Sequence, residues 1–140
     1  MILFEYSDDY ARKFGDIAEI KFSKRFFPDQ CIGGWEGLVE QIEKGYNWEP
    51  EELDFDLDGI RGVAEYFLDH ELLVNFSEHQ KFGEIILKLD KKFLSLTLLN
   101  PRLESFDDFP WWQKRLLKNG GERYTEFLLE KEIAAINFKK

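Results

Sequence analysis

In residues 35–46, WEGLVEQIEKGY, the apolar side chains Trp35, Leu38, Val39, Ile42 and Tyr46 recur three or four residues apart. That spacing gathers them on one side of an α-helix, and such a stripe must be buried against a second element. Trp35, Val39, Ile42 and Tyr46 are therefore expected in the core, while Glu36, Glu40 and Glu43 lie off the stripe and Gly45 is placed to stop the helix. The same period runs through Tyr10, Phe14, Ile17 and the stem of Lys21, after a capping Ser7 or Asp8. It returns in Val63, Tyr66 and Phe67 across residues 60–68, and in Phe82, Ile85, Ile86, Leu89, Phe93 and Leu96 after a capping Ser77. Pro110 opens a further helix over WWQKRLLKN, closed by Gly120-Gly121, and Tyr124, Phe127, Leu128 and Ile133 mark a last one. DQCIGG reads as a break before Trp35, and extended alternatives exist at residues 1–6, 22–27 and 93–99. The expected fold class is mainly α: a single-domain, helical bundle-like fold over residues 1–140, with room for a short N-terminal strand or hairpin.

A chain of 140 residues that is 44% hydrophobic and 16% aromatic has ample material for one core. No apolar stretch approaches the roughly 20 residues that cross a bilayer. The start MILFEYSDDYARKF carries acids where a signal peptide carries early positive charge. A cytoplasmic protein is expected, and a lone cysteine, Cys31, fits a reducing compartment.

The net charge of −9 is concentrated. Between Glu36 and Asp58 stand nine acids and one base, Lys44, whereas the other 117 residues hold 19 acids and 18 bases. A stretch of net −8 on an otherwise nearly neutral domain repels nucleic acid and anionic membranes and attracts a basic protein. Its bland reading is a solvated face that maintains solubility.

Residues 54–65, DFDLDGIRGVAE, match the spacing of a twelve-residue calcium loop, with Asp54, Asp56, Asp58 and Glu65 as ligands. Arg61 stands where such a loop carries an apolar residue, and no second loop is present to pair with it. The alternation of Leu53, Phe55 and Leu57 with the three aspartates is better explained by a segment with one side on the core and one in water. No metal site and no cofactor is expected. His70, His79 and Cys31 lack metal-ligand spacing, and the Gly-Gly pairs lack the Lys-Ser or Lys-Thr of a phosphate loop. Nothing marks a catalytic residue, so a non-enzyme is expected.

The assembled stretch GGWEGLVEQIEKGYNWEPEELDFDLDGIR resembles the immunity proteins of bacterial contact-dependent growth inhibition systems. The resemblance lies in Gly33-Gly34-Trp35, Leu38-Val39, Ile42-Glu43, Gly45-Tyr46 and an acidic segment ending near Arg61. It extends to Leu89, Asp90, Phe93 and Thr97, and to Trp111, Trp112 and Tyr124; DLDGIR departs from the family's pattern. The resemblance implies a cytoplasmic inhibitor that binds the C-terminal domain of a partner toxin, a basic and nucleic-acid-cleaving one given the charge. Glu40, Glu43, Glu49, Glu51, Glu52, Asp54, Asp56 and Asp58 are the expected contacts. The alternatives are an acidic protein-binding adaptor and a calcium module built on residues 54–65.

Overall fold

The computed structural model describes residues 4–138, with side chains described through residue 130. Residues 1–3 of the N-terminal strand option lie outside the described residues, as does the side chain of Ile133. Among the described residues the order is α1 (Asp8–Phe22), α2 (Pro28–Glu43), α3 (Pro50–Leu68), α4 (Ser77–Ser95), β1 (Thr97–Leu99), a 3-10 turn (Trp111–Gln113), β2 (Arg115–Leu117) and α5 (Glu122–Phe138). The mainly α class is as the periodicity predicts.

Local chemistry sets these bounds. The Ser7 hydroxyl accepts the Tyr10 amide at the start of α1 and itself donates to Glu78, tying α1 to the first turn of α4. Those hydrogen bonds with Ser7, with one from its own backbone, hold the Glu78 carboxyl down at about 2. Pro28 and Pro50 open α2 and α3, where a missing N–H costs nothing. Gly45, at φ 100°, takes the left-handed conformation that turns the chain out of α2.

Helix α4 lies along α2, and α3 packs against both. The seam holds Trp35, Val39 and Ile42 of α2, Phe82, Ile86, Leu89 and Phe93 of α4, and Leu53, Leu57, Ala64 and Phe67 of α3, all buried. Tyr46 is buried beside them, so the four expected core residues are all inside. From α1, Phe14 stacks on Phe67 with ring centres 4.0 Å apart.

One ion pair is enclosed by this seam. Arg61 follows Leu53 and Leu57 at four-residue steps on the buried face of α3, and Asp90 follows Ile86 in the same way on α4. The guanidinium grips the carboxylate with two hydrogen bonds, Nε to Oδ1 at 2.8 Å and Nη2 to Oδ2 at 2.9 Å. The Trp35 indole donates to the same Oδ1 at 3.0 Å, which brings in α2. Trp111 and Trp112 of the 3-10 turn cover the guanidinium, 5.5 and 5.0 Å from their ring centres. Burial opposes the charge on Arg61, but hydrogen bonds to Asp90 and then Glu65 more than offset it, leaving its pKa above the ordinary value.

Several local expectations are corrected. Residues 28–34 are helical from Pro28, so DQCIGG is the first part of α2. Residues 50–68 are one helix, in which Leu53 and Leu57 are buried and Phe55 faces water. The alternation read at 53–58 is an accident of an i, i+4 pair with an apolar residue on the opposite side. Ser77 makes no capping hydrogen bond; Phe76 holds the cap position. The helix expected after Pro110 is one 3-10 turn followed by β2, which pairs antiparallel with β1, Thr97 opposite Leu117. Arg115 fastens that pair, its Nε donating to Thr97 Oγ1 at 2.9 Å. Phe4–Tyr6 and Arg25–Phe27 form no strand.

Because the pair is buried, losing one partner strands the other. Arg61→Met or Asp90→Leu alone is expected to cost roughly 3–5 kcal/mol, and the double variant much less than the sum. Denaturant unfolding of all three variants checks this; additive losses contradict it.

Candidate functional site

The aspartates of the calcium-like spacing all sit within α3. Successive residues of a helix are turned by about 100°, so Asp54, Asp56 and Asp58 cannot face a common centre as loop ligands do. Asp56 instead accepts the Tyr46 hydroxyl at 2.9 Å, and Glu65 accepts Arg61 Nη1 at 2.7 Å. Residues 54–65 therefore do not form a calcium loop. Among the described residues no three His, Cys, Asp or Glu side chains gather as metal ligands.

The nucleophile and base candidates are held by the fold. Cys31 is buried, and burial pushes its thiol up to about 12 despite the nearby Arg61 charge, leaving almost no thiolate at neutral pH. The His79 ring lies between the Tyr10 hydroxyl, 2.7 Å from Nδ1, and the Leu68 carbonyl, 2.9 Å from Nε2. Nε2 therefore donates to that carbonyl. His70 Nδ1 accepts the Leu72 amide at 3.2 Å, closing the turn after α3.

The eight acids expected as contacts divide into three groups. Glu51, Glu52, Asp54 and Asp58 are exposed on the N-terminal half of α3: Glu51 and Asp58 share its outer side, Glu52 flanks them, and Asp54 borders a cleft with Asn100, Arg102 and Arg115. Part of that charge has a structural use, since Glu51 and Glu52 occupy the first turn, where the helix dipole favours acids. Glu49 and Asp56 are half-buried at its edge, in a pocket of about 360 Å³ completed by Tyr46, Trp48, Glu52 and Arg123. Arg123 of α5 lies over the Trp48 ring at 5.5 Å and approaches Glu49 at 3.6 Å, so α5 neutralises that edge. Glu40 and Glu43 are exposed but face α4 instead. Glu40 borders a groove of about 600 Å³ with Lys81, Lys88 and Lys92, and Lys92 pairs with Glu43 at 3.3 Å. The α2 acids thus belong to a mixed-charge groove, whereas Glu51 and Asp58, flanked by Glu52, make the outer side of α3 acidic.

Sequence reasoning missed Phe55, whose side chain stands 76% exposed among the α3 acids. The helical wheel of residues 50–68 would have found it, had the stretch not been read as alternating. It also passed over the role of Arg61 and Asp90. Their signal was present: one charge of each sign at an apolar stripe position.

Asp56→Asn weakens an acceptor used by a buried phenol and is expected to cost about 1 kcal/mol. Burial, followed for Tyr46 by the hydrogen bond to Asp56 and for Tyr10 by Glu78, raises both phenols well above their ordinary value. Unfolded phenols release protons near pH 10 while the folded ones retain theirs, so stability present below pH 10 is lost as pH rises further. Denaturation midpoints at about pH 8 and about pH 11 should show this fall; a flat midpoint contradicts it. No family model matches the chain, and no curated protein and no solved structure matches it either.

Proposed function

We propose that this protein is an inhibitor of another protein: a cytoplasmic immunity protein that binds and neutralises a basic toxin domain through the N-terminal half of α3. The observation that carries the reading is the placement of charge. Glu51, Glu52, Asp54 and Asp58 project into water from one rigid helix, whereas the Arg61–Asp90 pair is enclosed beneath it. A negative surface on a fixed helix attracts a basic partner over the roughly 8–10 Å that physiological salt allows and repels nucleic acid. It therefore suits a domain whose own active site must attract RNA or DNA. The resemblance to contact-dependent growth inhibition immunity proteins supports the same reading. No helix among the described residues is long and apolar enough to cross a membrane, which agrees with a protein acting inside the cell.

Binding requires no chemistry from this chain, and the reading takes it as a non-enzyme with no cofactor. Occlusion of the partner's basic surface is sufficient for inhibition. Glu49 and Asp56 serve chiefly to hold the start of α3 against Arg123 and Tyr46.

The reading requires a large exported protein encoded immediately upstream, whose C-terminal domain is the ligand to test. Coexpression of the two should restore growth. The combined variant Glu51→Gln, Glu52→Gln, Asp54→Asn and Asp58→Asn should remain folded, since exposed swaps each stay within about 0.5 kcal/mol. Its association rate with the toxin domain should fall at least roughly tenfold at low salt and lose most of its salt dependence. A variant that matches the original protein at low and high salt would show that the α3 acids are only a solvated face.

A further inference from the structure

Phe55 and the surface one turn beyond it form a knob beside a hole. The hole is a groove of about 340 Å³ between α3, α2 and the turn after α1, with Gly59, Ile60, Val63, Gly34 and Phe26 in its lining and one charged residue, Lys24 of that turn. Gly59 follows Phe55 by four residues and is its neighbour on the helix surface. A Cβ at Gly59 would meet nothing within 4 Å, so the absent side chain leaves the groove open towards Phe55. On the helical wheel Glu51, Phe55 and Asp58 fall within about 60° of one another, and Glu52 flanks them. A glycine at an exposed helical position costs about 1 kcal/mol relative to alanine, and an exposed phenylalanine gains little from folding. Neither helps the isolated helix.

We propose that this outer face of α3 docks a basic protein segment that presents an apolar side chain flanked by Lys or Arg. The apolar side chain enters the groove beside Gly59, Phe55 enters a slot on the partner, and the cationic groups meet Glu51, Glu52 and Asp58. Charge selects this occupant. A second copy could offer the same knob and hole, but a two-fold contact would bring Glu51, Glu52 and Asp58 of both copies together. The inference rests on the acidic-surface reading and adds the apolar anchor and the partner chemistry to it. Steering by exposed acids acts mainly on encounter, whereas a buried aromatic anchor acts on dissociation.

Two synthetic peptides of equal length and charge test it: an amphipathic Lys–Leu helix and a Lys–Gly chain. The protein should bind the Lys–Leu peptide at least roughly tenfold more tightly. Phe55→Ala and Gly59→Gln should each abolish that preference while leaving Lys–Gly binding unchanged. Gly59→Gln improves helix propensity, so it stays folded while filling the mouth of the groove. Sedimentation should show a monomer at micromolar concentration. A Lys–Leu preference that persists in both variants, or a dimer that Phe55→Ala dissociates, overturns the proposal. Failure of the toxin reading would show instead as absent growth protection by the unaltered protein, with the peptide preference intact.

Discussion

The Arg61–Asp90 pair is the contact on which the arrangement of this protein depends. It joins α3 to α4, the Trp35 indole joins α2 to the same carboxylate, and Trp111 and Trp112 close the connection from the chain that follows β1. Apolar contacts along the α2–α4 seam supply area but tolerate sliding, because one methyl group resembles another. A bidentate guanidinium–carboxylate contact has one geometry and a large penalty for being left half made. It fixes the rotation of α3 about its axis. Rotation matters here because it decides that Glu51, Phe55 and Asp58, which fall within about 60° of one another on α3, are carried to water.

Charge is thus used in two ways along one helix. Arg61 turns inward and is consumed by Asp90 and Glu65, while Glu51, Glu52 and Asp58 of the preceding turns are exposed. Where an acid of this stretch comes near the body of the fold it is matched: Asp56 by Tyr46, Glu49 by Arg123, Glu43 by Lys92. The interior is satisfied locally, and the negative field is left to the outer face of α3. On the reading proposed above, that division lets a binding surface be acidic without leaving an unpaired charge buried.

The helices were legible because their apolar residues repeat every three or four positions, and Trp35, Val39, Ile42 and Tyr46 are buried as that repeat requires. What misled was short-range coincidence. Leu53, Phe55 and Leu57 alternate in sequence, yet a helix places Phe55 on the opposite side from the other two. Leu116 and Leu117 gave too short a pattern to distinguish a strand from a helix, and pairing with Thr97–Leu99, far off in sequence, decided it. Trp35, Arg61, Asp90, Trp111 and Trp112 are among the residues of the resemblance and meet in one cluster, all but the half-buried Trp111 inside, so these residues speak to the fold. The partner has to be read from the surface, where the candidate acids proved to lie on two separate faces.

The most direct test of the account is amide hydrogen exchange of the protein alone and bound to the basic toxin domain that the proposed function requires. The account predicts added protection concentrated in residues 51–63 of α3, with the β1–β2 pair and the loop between them unchanged. Protection that falls on the β1–β2 pair or the α2–α4 groove, with α3 unaffected, would contradict it.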